Sequence, residues 1–136
     1  MKRETKFRGR RTDNGEWVYG DLIQLDKQSC ISGSHQLAIA LQNNLLGLGV
    51  DEVTPETVGQ FTGLKDKNGV EIYEGDVVRY ETDYDLMRFE VKWNKDTLMW
   101  EAASQVIVDE PLYYKNGFIE IIGNIHDNPE LIANLE

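Results

Sequence analysis

The sequence predicts a mainly β protein that ends in a short α-helix. Short runs of alternating apolar and polar residues recur along the chain, β-branched and aromatic residues fill them, and turns rich in glycine or asparagine separate them. This pattern favours a small barrel or sandwich over an alternating α/β plan. With 136 residues, of which 40% are hydrophobic, the chain is long enough to bury a core.

The first part of the chain predicts an antiparallel hairpin. Residues Lys6–Arg10 form a short strand candidate, and the Asn14-Gly15 pair is typical of a tight turn. The run Trp17–Leu25 is rich in β-branched and aromatic residues and predicts the returning strand. Gly20 within this run predicts a bulge or a sharp bend, because an interior glycine weakens a regular strand.

The pattern is weaker between residues 28 and 53. The segment Cys30–Gln42 is compatible with a strand or a short helix, and the strand is favoured. Val50–Val53 predicts another short strand. Pro55 then forces the preceding residue out of helical space, so we predict a boundary there. The predicted modules are residues 1–55 and 56–136.

The second module shows the clearest alternation. Phe89, Val91 and Trp93 occupy one face of a strand whose other face is charged. A turn is predicted at residues 66–69 and a helix start at Asn128, with Asn as N-cap and proline at the first helical position. The predicted strands are Thr57–Thr62, Ile72–Tyr73, Val77–Thr82, Met87–Asn94, Leu98–Ala102, Val106–Val108 and Phe118–His126.

Five aromatic residues of this module could either fill its core or form a stacking platform for single-stranded nucleic acid. They are Tyr80, Phe89, Trp93, Trp100 and Phe118. Because a small β-module needs large rings to build its core, we predict that they are core residues.

The charge of the chain is unevenly distributed. The formal net charge is −10, yet residues 1–11 contain six basic side chains and one acidic one, a net +5, which leaves −15 on the remainder. The basic side chains are Lys2, Arg3, Lys6, Arg8, Arg10 and Arg11. They could contact nucleic acid, although an acidic body repels phosphate. They could equally lie on the acidic surface of the same chain or of a neighbouring subunit, which is the interpretation we favour.

The candidate reactive residues predict no catalytic, metal or cofactor site. Cys30 is expected to behave as a small, half-buried hydrophobe, since no partner can be placed beside it. The histidines, His35 and His126, belong to no recognisable triad, and His126 is expected to cap or pack. An acidic cluster lacks the spacing of a calcium loop and is predicted to be a solvated surface. Its members are Glu74, Asp76, Glu81, Asp83 and Asp85.

Two short segments are candidate partner surfaces. The apolar side chains of residues 43–49 would be exposed unless another molecule covers them, and a tyrosine pair precedes Lys115. The residues concerned are Leu45, Leu46, Leu48, Tyr113 and Tyr114. We find neither a membrane span nor a secretory signal, and a single cysteine favours a reducing cytoplasm.

Several blocks of the sequence, in order, resemble the YopX family. They are Lys6–Gly9, Trp17–Asp21, Pro55–Gly69, Ile72–Val78 and Ile121–Leu131. Members of this family are small proteins of phages and prophages of low-GC Gram-positive bacteria. The resemblance implies that the second module is an SH3-like barrel and that the protein forms homo-oligomers in the cytoplasm of a bacterial host. It implies no molecular function.

From these features we expect a phage or prophage accessory protein, not an enzyme, that acts by homo-oligomerisation and by binding a macromolecule. One alternative is a nucleic-acid-binding protein that uses the basic residues near the N-terminus. Another is an acidic mimic of nucleic acid that binds a host protein.

Overall fold

The computed structural model describes residues 5–25, 28–33, 50–81, 86–103, 110–111 and 118–133. The chain divides into two compact units, unit 1 with residues 1–61 and unit 2 with residues 62–136. The described strands form two antiparallel sheets and are followed by one short helix, which confirms the mainly β class. No helix among these residues is both long and apolar enough to cross a bilayer.

The described residues of unit 1 form four strands and the beginning of a fifth. They are β1 (Phe7–Arg10), β2 (Trp17–Leu25), β3 (Gln28–Ser32), β4 (Val50–Val53) and β5 (Gly59–Lys65). Their order is β4-β3-β2-β1-β5. A 3₁₀ helix at Pro55–Thr57 precedes β5, so the strand predicted from Thr57 begins two residues later. The favoured strand after Cys30 is confirmed as far as Ser32, and residues 34–49 lie outside the described residues.

The β1–β2 turn is longer than the tight turn that the Asn14-Gly15 pair suggested. The Arg11 N–H donates to the Glu16 carbonyl oxygen at 2.9 Å, and Gly15 has a φ of 73°. A two-residue loop would pair Arg10 with Tyr19. The longer loop instead pairs Arg10 with Trp17, a shift of two residues that keeps every side chain on its original face.

Strand β2 changes partner at Gly20, as the predicted bend requires. Its first four residues pair with β1, and the residues from Asp21 onward pair with β3. Gly20 has a φ of 152°, and a Cβ atom there would collide with the carbonyl oxygen of Ser32. Only glycine avoids this contact, so β2 can serve both neighbours.

The sheet of unit 1 curls until its edge strand β4 reaches the end of β1. Val53 forms an isolated bridge with Arg11. Two backbone hydrogen bonds flank it: Thr12 N–H to Glu52 O at 3.1 Å and Thr54 N–H to Arg10 O at 2.9 Å. A Cβ atom on Gly9 would touch the Val53 side chain, so the face of β1 that carries Gly9 points into the interior of unit 1.

The described part of unit 2 continues β5 and adds six strands and a helix. They are β6 (Glu71–Tyr73), β7 (Asp76–Glu81), β8 (Leu86–Asn94), β9 (Met99–Ala103), β10 (Glu110–Pro111), β11 (Ile119–Asn124) and α1 (Glu130–Ala133). Strand β6 pairs with β5. The second sheet has the order β9-β8-β7-β11 and is extended beside β9 by the two-residue β10. The strand predicted at Val106–Val108 lies outside the described residues.

The core of unit 2 lies between the β5–β6 hairpin and the second sheet. Its fully buried members are Ile72, Val78, Phe89, Val91, Ala102 and Ile119. The described strands form no closed barrel, because the second sheet has edges at β10 and β11. The turn after β5 meets β11 through two hydrogen bonds to or from its backbone, Lys67 N–H to Ile119 O at 2.9 Å and Ile121 N–H to Asp66 Oδ2 at 3.1 Å, and through a side-chain hydrogen bond from Asn68 Nδ2 to Glu120 Oε2 at 3.4 Å. These bonds link the two elements without a strand ladder.

The predicted aromatic core is confirmed for Phe89 and is wrong for two other rings. Phe89 is fully buried, whereas Trp93 is 44% exposed and Phe118 is 69% exposed. Trp93 is on the same face of β8 as Phe89 but lies next to the turn, outside the cluster of buried residues. Phe118 directly precedes the buried Ile119, so strand alternation turns its ring to the other face. Tyr80 and Trp100 are partly buried against the core.

The C-terminal helix is confirmed, but the Asn128 side chain has a different role from the predicted cap. Its Oδ1 accepts a hydrogen bond from the Asn124 N–H at 3.4 Å. A Cβ atom on Gly123 would collide with Asn128 Oδ1 and Leu131 Cδ1. Gly123 therefore allows the start of the helix to pack against the end of β11.

Candidate functional site

Three basic residues in and directly before β1 lie on one face beside aromatic rings. Alternation places Lys6, Arg8 and Arg10 on one face, opposite to the face that carries Gly9. Arg8 is paired with Tyr19 of β2, and Arg10 with Trp17. On the other side, the N–H of Phe61 donates to the Lys6 carbonyl oxygen at 2.8 Å. We call these six residues the cation–aromatic face: Lys6, Arg8, Arg10, Trp17, Tyr19 and Phe61.

The rings and cations of the cation–aromatic face are close enough to attract each other. The Cζ atoms of Arg8 and Arg10 lie 4.8 Å and 6.0 Å from the ring centroid of Trp17. Lys6 Nζ lies 5.2 Å from the ring centroid of Phe61. Such distances correspond to cation–π interactions, which hold both partners in position.

The cation–aromatic face has a buried part and an accessible part. Arg8 is only 6% exposed and Phe61 is buried as well. Lys6, Arg10 and Trp17 are half-buried, and Tyr19 is 51% exposed. The buried residues fix the arrangement, and the Tyr19 ring is the part that a ligand can reach most easily.

Arg10 is held in place by the turn and by the 3₁₀ helix. Its Nε donates to the Gly15 carbonyl oxygen at 3.3 Å, and its backbone N–H donates to Thr57 Oγ1 at 2.9 Å. Thr57 Oγ1 in turn donates to the Thr54 carbonyl oxygen at 2.6 Å. The position of Arg10 on the face is therefore set by the local backbone.

Arg11 lies on the opposite face and contacts carboxylates of its own unit. Its Nε and Nη2 donate to the two carboxylate oxygens of Asp13 at 3.0 Å and 2.7 Å, and Nε lies 3.7 Å from Asp51 Oδ1. The hydrogen bond with Asp13 raises the pKa of Arg11 and lowers the pKa of Asp13. Lys2 and Arg3 lie outside the described residues.

An apolar cluster in unit 2 lies at the β8–β9 turn, with Trp93 and Leu98 exposed and Trp100 half-buried. Trp93 pairs with Trp100 across the two strands, with ring centroids 5.0 Å apart and planes at 67°. Leu98, in the turn between them, is 69% exposed and has a φ of 57°. We call Trp93, Leu98 and Trp100 the hairpin tip. Sequence reasoning missed it, although a tryptophan beside a predicted turn was a usable signal.

The turn that carries the hairpin tip is organised by Asn94. Its Oδ1 accepts hydrogen bonds from the N–H groups of Asp96 at 2.9 Å and Thr97 at 3.2 Å. Its Nδ2 donates to Glu101 Oε1 at 2.8 Å. These bonds fix the turn with Leu98 pointing outward, so the apolar cluster is a defined surface.

The predicted acidic surface is confirmed for Glu81 and wrong for Asp76. Glu81 is exposed, whereas Asp76 is 2% exposed and its Oδ2 accepts the Tyr73 N–H at 2.7 Å. This bond turns the chain between β6 and β7, which explains why the carboxylate is buried. Glu74 is half-buried, and Asp83 and Asp85 lie outside the described residues. No described group of three or more potential ligands could hold a metal ion.

Burial raises the pKa of an acidic group in each unit, the Cys30 thiol in unit 1 and the Glu90 carboxyl group in unit 2. The Cys30 thiol is 8% exposed, and burial raises its pKa, with a smaller contribution from Glu52 and Asp51. Burial also raises the pKa of Glu90 on β8, against a smaller opposing effect of Lys92, whose Nζ lies 3.9 Å away. Cys30 is thus a buried small side chain, more fully buried than predicted.

Of the remaining residues that the sequence suggested, only His126 lies among the described residues. The backbone N–H of His126 donates to Asn124 Oδ1 at 3.0 Å, and the residue is half-buried at the end of β11. The other candidates lie outside the described residues, namely His35, Leu45, Leu46, Leu48, Tyr113 and Tyr114.

These features define a mainly β protein of two antiparallel sheets that presents a cation–aromatic face and an exposed hairpin tip. The chain belongs to the YopX family, whose family model, described as YopX protein, matches residues 6–133. Its structure is similar to the crystal structure of protein EF1440 from Enterococcus faecalis, with a TM-score of 0.52 and 25% sequence identity over 95% of this chain and 98% of that chain. No curated protein matches the chain.

Proposed function

We propose that the chain is a phage or prophage accessory protein that acts by assembling with copies of itself and by binding a macromolecule, and not by catalysis. The observation that carries the proposal is the hairpin tip. Trp93 is 44% exposed and lies on the face of β8 that buries Phe89 and Val91. The apolar face that forms the core therefore extends to a residue that is exposed to solvent. Exposed apolar surface of this kind is typical of an interaction site.

In this proposal, the hairpin tip of one copy binds the hairpin tip of a second copy. Most homo-oligomers have two-fold symmetry, in which one patch meets the same patch of its partner. Lys95 and Asp96 are adjacent, exposed and of opposite charge beside the tip. In a two-fold contact, the lysine of each copy can face the aspartate of the other. The apolar residues then form the centre of the interface and the charges its rim.

Salt should strengthen this assembly. Each copy carries a net charge of −10, so the copies repel each other at low ionic strength, and salt screens that repulsion. The apolar contact itself is not weakened by salt. Assembly through the hairpin tip therefore has the opposite salt dependence to phosphate binding.

Light scattering coupled to size-exclusion chromatography at low and high salt tests the proposal. The unmodified chain is expected to have a mass of at least twice that of one chain at high salt, and Trp93→Ser to have the mass of a single chain. Val70→Ser is the matched control, since Val70 is a similarly exposed apolar residue of the same unit. An unmodified chain that is monomeric at both salt concentrations would reject the proposal.

Two finer expectations belong to this proposal. The first is an SH3-type arrangement of unit 2, supported by the β5–β6 hairpin that packs Ile72 onto the core of the second sheet. The second is action in the cytoplasm of a bacterial host, where a lone cysteine such as Cys30 stays reduced.

A second candidate function is nucleic-acid binding by the basic residues near the N-terminus. The observation that favours it is the cation–aromatic face, on which three basic residues alternate with aromatic neighbours. Affinity for nucleic acid should fall steeply as salt rises, because each phosphate contact releases counterions. An absence of binding at low salt would exclude this function.

A further inference from the structure

We infer that the cation–aromatic face binds single-stranded nucleic acid, with Tyr19 as the ring on which a base stacks and Lys6 and Arg10 as the phosphate contacts. This inference rests on the second candidate function and adds to it the ligand class and the role of each residue.

The orientation of β1 turns the cation–aromatic face away from the interior that contains Val53, and Tyr19 is the exposed member of this face. Gly9 points toward Val53 in the interior, so its neighbours Arg8 and Arg10 point the other way. Tyr19, paired with Arg8, is on that face, and half of its surface is exposed. A ligand on this face therefore meets the tyrosine ring first.

The neighbours of Tyr19 supply positive charge in fixed positions. Arg8 is buried and its Cζ lies 4.8 Å from the centroid of the Trp17 ring, whereas Arg10 Cζ lies 6.0 Å from the same centroid and Arg10 Nε donates to the Gly15 carbonyl oxygen. Lys6 lies two residues before Arg8 on the same face. Cations interleaved with aromatic rings are the combination that binds a single strand, because the rings stack with bases while the cations attract phosphates.

The same features disfavour a duplex as the ligand. In a duplex the faces of the bases are stacked on each other, so an exposed tyrosine ring gains no contact with them. Reading a duplex requires a helix or ribbon in a groove and a broad basic surface. Outside residues 1–11 the chain has a net charge of −15, which repels the dense charge of a duplex.

Fluorescence anisotropy with labelled oligothymidylate, oligouridylate and a duplex of equal length tests the inference at low salt. Tyr19→Ala is expected to weaken single-strand binding about tenfold, and Tyr19→Phe to preserve it, because the ring and not the hydroxyl group stacks. Phe118→Ala removes a more exposed ring from unit 2 and is expected to bind like the unmodified chain. The affinities for oligothymidylate and oligouridylate show whether the preferred ligand is DNA or RNA.

Charge variants complete the test. Lys6→Gln and Arg10→Gln are each expected to weaken binding and to reduce its salt dependence by about one phosphate contact. Arg10 also supports the β1–β2 turn. If the Arg10→Gln variant fails to fold for that reason, the Lys6→Gln variant alone tests the phosphate contacts. If the charge variants weaken binding while Tyr19→Ala does not, nucleic-acid binding stands and the stacking inference fails. An affinity for the duplex equal to that for the single strands also overturns the inference. If no oligonucleotide binds, both nucleic-acid binding and the stacking inference are excluded.

Discussion

The Asp66 carboxylate accepts a hydrogen bond from the backbone N–H of Ile121, 55 residues further along the chain, at 3.1 Å. Its other oxygen accepts the N–H groups of Asn68 and Val70, both at 2.9 Å. One buried side chain thus closes the β5–β6 turn and attaches this turn to edge strand β11. The Ile121 N–H and the Ile119 carbonyl oxygen, which accepts from the Lys67 N–H, are therefore two edge-strand atoms that are already paired within the chain.

Asp66→Ala should lower the free energy of unfolding by about 2–4 kcal/mol, because it leaves three backbone donors without their acceptor. Urea denaturation followed by circular dichroism measures this change. Glu81→Ala removes an exposed carboxylate from the same unit and should change stability by no more than about 0.5 kcal/mol. Equal urea midpoints for the two variants would show that Asp66 has no structural role.

Gly20→Ala should destabilise unit 1 by at least about 2 kcal/mol, because the new methyl group collides with the Ser32 carbonyl oxygen and the φ of 152° strains an alanine. Gly63→Ala is the matched control, since Gly63 has a φ of 87° but open space around it. Gly63→Ala should lower the free energy of unfolding by about 1–2 kcal/mol, because it strains the backbone without creating a collision. Urea midpoints compare the two, and a smaller loss for Gly20→Ala than for Gly63→Ala would contradict the described path of β2.

The Arg11–Asp13 pair should make a pH-dependent contribution to stability. The Arg11 hydrogen bond lowers the pKa of Asp13 in the folded state, so the contribution is present above the pKa of the unfolded chain and is lost as the pH falls through the folded value. Arg11→Gln should therefore raise the pKa of Asp13, measured by NMR titration of its carboxyl carbon. An unchanged titration curve would mean that the two side chains do not pair in solution.

Cys30 should be unreactive in the folded protein. It is 8% exposed, and burial raises its thiol pKa, so both access and the thiolate fraction are reduced. Labelling with a thiol-specific reagent at neutral pH is expected to be slow in buffer and fast in denaturant. Labelling in buffer at the rate of free cysteine would contradict the buried position of β3.

Local patterns were sufficient to predict most strands. The bounds of Trp17–Leu25 agree with β2, and the alternation around Phe89 identified β8 and its core face. These features depend on neighbours in sequence, namely a period of two, β-branched content and turn residues. The short C-terminal helix after Pro129 was predicted for the same reason.

Features that depend on distant partners could not be predicted in this way. The bond from Asp66 to Ile121 spans 55 residues, so nothing near Asp66 distinguishes it from a surface aspartate. The basic residues of β1 were identified as a charged set, but their aromatic partners depend on strand register, which the longer β1–β2 turn fixes. Trp93 was assigned to the core because alternation gives the face of a residue and not the place where the core ends.

The central claim, that a second copy covers the hairpin tip, is tested most directly by intermolecular NOEs in an equimolar mixture of isotope-labelled and unlabelled chains at high salt. We predict NOEs between the rings of Trp93 and Trp100 of one copy and the Leu98 methyl groups of the other. A mixture in which the hairpin tip gives no intermolecular NOE would contradict the claim, even if light scattering shows that the chains assemble.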